Sequence, residues 1–278
     1  MRYLNLGCGH RYHPKWVNVD FISAGEDVIS HNLMEGIPFP DKYFDVVYHS
    51  HLLEHFPKDR AEPFMKECLR VLSPGGVLRI ALPDLEFLVR NYIHALDGAR
   101  KGNPGADSDY QWSLIHLFDQ TFRSYTGGSM TEYLSRIEID NEEYVVRHCG
   151  TEAKNILDLF KENQEQNKFT KFILRYYALL KNVKLFRELL IISVLGKEYG
   201  TLLVGRFRKS GEVHQWMYDR YSLRNLLEKC GFVEITECTA ISSRIPDWRS
   251  FHLDASPDGA THRPDSLFME AVKTGRSA

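Results

Sequence analysis

The stretch that decides the fold is residues 4–9, LNLGCG, followed at residues 17–21 by VNVDF. The first stretch is a short apolar run that stops at two glycines one residue apart. It predicts a buried strand running into a tight turn, where the backbone can approach a ligand closely. The second stretch predicts another strand, which ends in the carboxylate of Asp20. Ligands of doubly wound sheets bind beyond the carboxyl ends of the strands, and an acid there can accept hydrogen bonds from both hydroxyls of a ribose.

The glycine turn does not fit two well-known nucleotide motifs. The dinucleotide fingerprint requires a third glycine three residues after Gly9, and Tyr12 occupies that place. The turn also lacks the Lys-Ser/Thr pair of a phosphate-binding loop. Because a Gly-x-Gly turn can serve the fold alone, the turn by itself leaves the ligand open.

Four blocks in order, residues 4–9, Asp20, residues 44–55 (FDVVYHSHLLEH) and residues 69–78 (LRVLSPGGVL), carry a family resemblance. The chain resembles class I S-adenosylmethionine-dependent methyltransferases, in the type 11-like group whose glycine turn is soon followed by Asn-Val-Asp. The resemblance covers about the first 85 residues and returns near residue 211.

The resemblance implies an α/β fold, a Rossmann-like doubly wound seven-stranded sheet with the last strand antiparallel, and a helical insertion after the fifth strand. Residues 1–85 and 211–278 then form the cofactor-binding core. Residues 86–210 form a mainly helical insertion that covers the substrate as a lid. The sequence pattern places the third to seventh strands at residues 27–30, 44–49, 77–82, 233–238 and 265–273. It also predicts a helix that begins near Pro63 and ends at residues 73–76, and another at 222–231 with a glycine C-cap.

The implied cofactor is S-adenosylmethionine, with S-adenosylhomocysteine as product. By resemblance, the cofactor-binding residues are Asn5, Leu6, Gly7, Cys8 and Gly9 for the methionine portion, Asp20 for the ribose, Asn32 with the Leu33 backbone for adenine, and His49 with Ser50 at the methionine end. Phe21 either packs on adenine or is a core aromatic. Asn5 and Asn32 depart from the family, which more often has acids at these places.

The implied reaction is in-line displacement that moves the methyl group to a hydroxyl, amine or carboxyl of a small molecule, with lipid- or sugar-linked acceptors left open. His51 and His214 are the candidate general bases. Glu54 and His55 are expected to brace the loop by hydrogen bonds. Three residues are candidate substrate walls: Asp84, Trp216 and Tyr218. A helix cap is the alternative for Asp84, and core packing is the alternative for residues 214–218.

We expect no metal site. The spacing of His49, His51 and His55 could suggest one, but such spacing arises easily by chance in a chain with 12 histidines.

Composition narrows the function class. The 278 residues are 43% hydrophobic and carry 35 basic and 37 acidic side chains, so no global basic field favours bulk nucleic-acid binding, although a local patch could hold a tRNA. Five cysteines without a Cys-x-x-Cys pair favour a reducing compartment. No apolar run approaches the roughly 20 residues of a membrane span. With a first strand predicted at residue 3, we expect no signal peptide and a cytoplasmic location.

Residues 168–187 contain six basic side chains, no acid, and an apolar arc at helical spacing. They could lie on an anionic membrane or grip a lipid-linked substrate, or they could form an ordinary helix packed on the core. Residues 189–195 are expected to be buried. The oligomeric state stays open.

Three other functions remain. A methyltransferase fold can serve as a non-catalytic binding or scaffold protein. A nicotinamide-dependent oxidoreductase uses a related sheet, but the missing third glycine counts against it. Aminopropyl transfer is disfavoured because no paired-acid block follows the fourth strand.

Overall fold

The computed structural model describes residues 1–23, 25–136, 138–164 and 183–275. Within them, seven strands form one sheet in the order β3-β2-β1-β4-β5-β7-β6. The strands are β1 (Tyr3–Leu6), β2 (Val17–Asp20), β3 (Val28–Ser30), β4 (Phe44–Ser50), β5 (Leu72–Pro83), β6 (Phe232–Cys238) and β7 (Ser266–Lys273). The first five run parallel, and β7 lies antiparallel between β5 and β6. The predicted doubly wound sheet with its antiparallel last strand is confirmed.

Eight α-helices accompany the sheet in these described residues. They are α1 (Lys58–Val71), α2 (Leu85–Arg100), α3 (Ala106–Phe122), α4 (Gly128–Leu134), α5 (Glu142–Gln164), α6 (Val183–Leu195), α7 (Tyr199–Arg208) and α8 (Arg220–Cys230). The described part of residues 86–210 therefore contains helices and no strand of the sheet. Helix α8 ends at Gly231, whose φ of 94° is the left-handed conformation of the predicted glycine C-cap.

Two boundaries differ from the sequence prediction. Helix α1 begins at Lys58 and keeps Pro63 inside. Ala61 and Phe64 on its buried face pack into the core, and this burial outweighs the one backbone hydrogen bond that a proline removes. Strand β5 begins at Leu72. Residues 73–76, predicted as a turn, lie within the strand and shift the register of its pairing with β4.

Both faces of the sheet are covered. One face packs on α1 and α8 through a large apolar core that includes Leu6, Phe64 and Leu223. The other face carries an aromatic cluster around Trp16 and Trp248. The insertion has a smaller core of its own, formed where α3, α4 and α5 meet.

The outer insertion differs from expectation. Residues 189–195 were expected to be buried, yet Leu189 and Val194 on α6 are 54% and 82% exposed. Most of the basic segment at 168–187 lies outside the described residues. No helix in the described ranges combines the length and apolarity that crossing a membrane requires.

Candidate active site

A cavity of about 370 Å³ opens at the carboxyl ends of β1 and β4. This size is typical of small-molecule sites, which occupy about 300–1,000 Å³. The predicted site residues on its wall are Asn5, Gly7, Cys8, Gly9, Ser50 and His51. The fold therefore brings together residues from the first and fourth strands that the sequence separates by more than forty positions.

The two glycines shape this cavity. Gly7 has a φ of 64°, and a Cβ there would lie 2.7 Å from Leu52 Cδ1, so only glycine fits without strain. The Gly7 amide donates to the Val19 carbonyl at 2.8 Å, which ties the turn to β2. The Gly9 amide donates to Asp20 Oδ2 at 2.8 Å. The predicted ribose carboxylate is thus aimed at the glycine turn, and its oxygens keep further acceptor capacity.

The predicted adenine residues lie along the same edge, outside the cavity wall. Asn32 caps a short 3₁₀-helix, and its Oδ1 accepts from the Met34 amide at 3.1 Å. Leu33 is buried in the core. Phe21 is 67% exposed, so the alternative of a core aromatic is wrong, whereas packing on adenine remains a prediction.

His49 is not on the cavity wall. Its side chain is fully buried and its ring centroid lies 5.5 Å from that of Phe64, on the side of the sheet covered by α1. Burial lowers the pKa of His49 to about 3. Alternation along β4 explains the difference, since neighbouring side chains of a strand point to opposite faces. Leu6 is also a core side chain, and only its backbone reaches the turn.

His51 lies on the wall of the cavity, and its role as a general base stays a prediction. Its φ of 49° is a left-handed conformation that non-glycine residues rarely adopt. His51 Nε2 lies 2.8 Å from Ser266 Oγ, and Nδ1 lies 3.3 Å from Glu54 Oε1. Burial, with Arg263 as the next cause, lowers the pKa of His51 well below its usual range. The imidazole is therefore neutral near pH 7.

Glu54 and His214 lie behind His51. The Glu54 main-chain carbonyl accepts from the amides of Gln215 and Trp216, so the backbone braces this loop as expected. The Glu54 side chain takes no part in this bracing, because neither oxygen of its fully buried carboxyl group makes a hydrogen bond. Burial raises the pKa of this carboxyl group to about 8. His214 Nε2 lies 4.0 Å from Glu54 Oε1, one layer deeper than the cavity wall.

For two of the three candidate substrate-wall residues, Asp84 and Tyr218, the structure shows the alternative role. Asp84 caps α2 through Oδ1, and its Oδ2 lies 2.9 Å from an Arg220 nitrogen, so both oxygens are engaged. Tyr218 is buried in the main core.

Trp216 is 39% exposed, and its ring lies 4.0 Å from the ammonium of Lys58. His214 and Tyr218 are buried, so the three alternating residues do not share one side. The segment before α8 is irregular, which removes the period-two alternation assumed for it.

Sequence reasoning missed three charged residues on the cavity wall: Arg11, Glu152 and Arg263. Glu152 and Arg263 form an ion pair. Although burial opposes it, this contact with Arg263 lowers the pKa of Glu152. Arg11 lies 3.9 Å from the same carboxylate. The position of Arg11 just after the glycine turn is a sequence signal for this site, whereas no motif near Glu152 or Arg263 points to it.

A kink in α5 positions Glu152. Gly150 has a φ of 71°, and a Cβ there would lie 2.5 Å from the His262 carbonyl. The absence of a side chain lets the insertion approach the segment that carries Arg263. A second cavity of about 220 Å³ shares Glu152 and Arg263 with the first and extends into the insertion, where Trp112, Met130 and Ile156 line it. The ion pair therefore separates two adjoining cavities.

The second cavity contains a buried polar cluster. His116 Nε2 lies 2.9 Å from Asp265 Oδ2, and Cys149 Sγ lies 3.8 Å from both ring nitrogens. Burial opposes the charged ring, but Cys149 and Asp265 raise the pKa of His116 to about 10. His116 is therefore protonated at neutral pH and paired with Asp265.

The sheet order, the glycine turn and the carboxylate at the end of β2 agree with a comparison against known families. Residues 11–80 match the family described as methyltransferase domain. Residues 11–80 of this chain, about a quarter of its length, are thus similar to a methyltransferase domain. The matched range includes Asp20, β4 and most of β5, and it contributes Arg11, Ser50 and His51 to the wall of the first cavity, whereas the glycine turn, Glu152 and Arg263 lie outside it.

The chain is also similar to segments of two curated proteins. A probable S-adenosylmethionine-dependent methyltransferase of Mycolicibacterium smegmatis is 41% identical over 56 residues, which are 20% of this chain and 21% of that protein. The probable methyltransferase ltbC of Aspergillus luteorubrus is 42% identical over 48 residues, 17% of each chain. The matches thus span about a fifth of these relatives. A solved SAM-dependent methyltransferase from Archaeoglobus fulgidus aligns with 98% of this chain and 86% of its own, at 13% identity and a TM-score of 0.37.

Proposed function

We propose that this chain is an S-adenosylmethionine-dependent methyltransferase that methylates a hydroxyl, amine or carboxyl group of a small molecule. The observation that carries the proposal is the glycine turn hydrogen-bonded to Asp20 at the mouth of the 370 Å³ cavity. When bound, the cofactor supplies an electrophilic methyl group on a sulfonium. The protein then has to bind, orient and desolvate the reactants.

The cavity residues suit the cofactor's methionine portion. A zwitterion needs both an anionic and a cationic partner, and Glu152 and Arg11 lie 3.9 Å apart on the wall. We assign the amino group to Glu152 and the carboxylate to Arg11. Gly7 and Gly9 permit close backbone approach, and Asp20 holds the ribose. Asn32, with the Leu33 backbone, and Phe21 serve adenine at the neighbouring edge.

The acceptor enters through the second cavity. This cavity adjoins the first at the Glu152–Arg263 pair and is lined by insertion residues, as a substrate lid requires. Its mixed wall of Trp112, Met130 and protonated His116 suits a small molecule with an apolar body and an anionic or hydrogen-bonding group. His51, neutral and on the wall of the first cavity, is positioned to accept the acceptor's proton.

Calorimetric titration with S-adenosylmethionine and S-adenosylhomocysteine tests the proposal. We expect micromolar binding that Asp20→Ala weakens by more than about tenfold, or 1.4 kcal/mol. Asp27→Ala removes a carboxylate from an exposed residue nearby and should leave affinity unchanged. A wild-type protein that binds neither compound would overturn the proposal in favour of a non-catalytic scaffold.

A further inference from the structure

The cluster behind His51 has ligand atoms without partners. Glu54 and His214 are 0% and 5% exposed. Both Glu54 oxygens and the Nδ1 atoms of His51, His55 and His214 are buried and make no hydrogen bond. Burying one polar group without a partner costs roughly 1–3 kcal/mol, and a charged one costs more. Several such groups at one place therefore require a compensating ligand.

The geometry of this cluster suits a cation. Glu54, His55 and His214 each present one ligand atom, and these atoms lie within 4.8 Å of one another. The rings of His55 and His214 meet edge to face, with centroids 4.8 Å apart. Metal–ligand distances of about 2.0–2.2 Å place neighbouring ligand atoms roughly 3.3 Å apart in a tetrahedral site. Small side-chain rotations would close the remaining gap.

We propose that Glu54, His55 and His214 bind one divalent transition-metal cation beside the methyl-donor cavity. Two imidazoles and one carboxylate are a common donor set for catalytic zinc and for other divalent first-row metals. This assignment replaces the sequence-based expectation of no metal. It also differs from the spacing considered there, since His49 faces the core and the third ligand comes from the segment before α8.

The surroundings orient these ligands. The His55 ring lies within hydrogen-bonding reach of the backbone of Val213 and Gly211. Metal-binding histidines commonly donate their other N–H to a backbone carbonyl, which fixes the ring. The Glu54 backbone is held by the amides of Gln215 and Trp216, so the two segments that supply the ligands are joined directly.

Three protein ligands leave a coordination position for another group. His51 lies between the cluster and the cavity, with Nδ1 3.3 Å from Glu54 Oε1. A small shift of His51 would let an oxygen of the acceptor reach the cation, which would lower the pKa of a bound hydroxyl. This role in the reaction rests on the proposed function, whereas the cation site itself does not.

Metal binding to the full-length chain tests the site. The protein is stripped with chelator and dialysed against buffered Zn²⁺, and bound zinc is measured by mass spectrometry. We expect about one zinc per wild-type chain, and binding at least about tenfold weaker in Glu54→Gln and in His214→Asn. Circular dichroism and thermal unfolding of the stripped samples verify that the variants fold, and His55→Asn replaces either variant that does not.

His116→Asn is the matched control, because His116 belongs to the second buried group of potential ligands, with Cys149 and Asp265. This variant should retain zinc. Substitution with Co²⁺ separates the two clusters, since only the Cys149 group would give a thiolate-to-cobalt absorption band. Binding that is absent in wild type, unaffected in the Glu54 and His214 variants, or lost in His116→Asn would overturn the site.

S-adenosylhomocysteine binding by the same samples separates this inference from the proposed function. Zinc bound without S-adenosylhomocysteine supports the cation site while the methyltransferase proposal fails. S-adenosylhomocysteine bound without zinc overturns the site alone.

Discussion

Two buried charged clusters occupy this domain, and they differ in how their charges are paired. Arg79, fully buried on β5, donates to Asp254 at 2.9 Å and to Glu270 at 2.8 Å, and its remaining N–H groups reach backbone carbonyls. Tyr48 donates to the other Asp254 oxygen at 2.6 Å. Glu54, equally buried, has no hydrogen-bond partner on its carboxylate.

This difference in pairing separates a cluster that holds the fold together from a cluster that is suited to bind a ligand. A buried charge that is fully paired within the chain joins segments of the fold, here β4, β5, β7 and the residues around Asp254. A buried polar group left unpaired destabilises the chain unless something else binds it. The unpaired cluster borders the cavity through His51, whereas the paired one packs against Trp248 and reaches the same cavity through Tyr48.

The largest effect is expected from a substitution that breaks the paired cluster. Arg79→Met leaves Asp254 and Glu270 buried without their cation, so the free energy of unfolding should fall by about 3–5 kcal/mol. Urea denaturation measures it. Arg90→Met removes an exposed arginine paired with Glu86 and should cost at most about 1 kcal/mol. Equal losses in the two variants would contradict the structural role of Arg79.

Tyr48→Phe makes a smaller change in the same cluster. It removes one hydrogen bond to a charged acceptor and leaves the packing intact, so unfolding free energy should fall by about 1.5–3 kcal/mol. Tyr43→Phe alters an exposed tyrosine and serves as control. A loss of unfolding free energy smaller than that of Tyr43→Phe would show that the Tyr48 hydroxyl does not stabilise the buried Asp254 carboxylate.

His116 is an intermediate case, paired through one nitrogen, and it predicts a pH dependence. Its pKa is about 10 in the folded chain, against about 6.5 for an unperturbed histidine. Because the pKa of His116 is higher in the folded chain than in the unfolded one, protonation of the ring stabilises the fold fully below the unfolded pKa. This stabilisation is lost as the pH rises towards 10. Between these values the wild type should lose up to about 1.4 kcal/mol per pH unit relative to His116→Asn. Parallel curves for the two proteins would contradict this pairing.

The smallest effect concerns the unpaired cluster. Burial raises the pKa of Glu54 to about 8, so in chelator at pH 7 Glu54→Gln loses neither a hydrogen bond nor a charge, and stability should stay within about 1 kcal/mol of the wild type. With Zn²⁺ present the wild type should be the more stable protein, since only the wild type gains from binding. Thermal unfolding with and without zinc measures both. A clear loss in chelator would mean that the carboxylate has an internal partner after all.

The sheet and the glycine turn could be predicted because their signals are local. Gly7, Gly9 and Asp20 lie within about a dozen residues, and each strand is a short apolar run with a polar end. Helix and strand boundaries were predicted wrongly where contacts distant in sequence determine them. Pro63, for example, lies inside α1 because the buried face of that helix packs into the core. The prediction that His49 lines the cofactor site is wrong, because side chains alternate along β4 and the His49 side chain points to the other face of the sheet.

The charged part of the site could not be predicted, because its members meet only in the folded chain. Glu152 and Arg263 are 111 residues apart and come together where Gly150 kinks α5. His214 joins Glu54 across 160 positions. The spacing of His49, His51 and His55 could suggest a metal site, but such spacing arises easily by chance. The arrangement of Glu54, His55 and His214 forms only in the folded chain and leaves no pattern in the sequence.

The central claim is that S-adenosylmethionine binds in the cavity between the glycine turn and His51. Ultraviolet cross-linking of methyl-labelled S-adenosylmethionine, followed by tryptic mapping, tests it most directly. The account predicts label on peptides 3–11 or 43–58, which contain the glycine turn and the end of β4, and loss of that label when S-adenosylhomocysteine competes. Label confined to peptides that contain neither a cavity residue nor Asp20, Phe21 or Asn32, or label that S-adenosylhomocysteine does not displace, would contradict it.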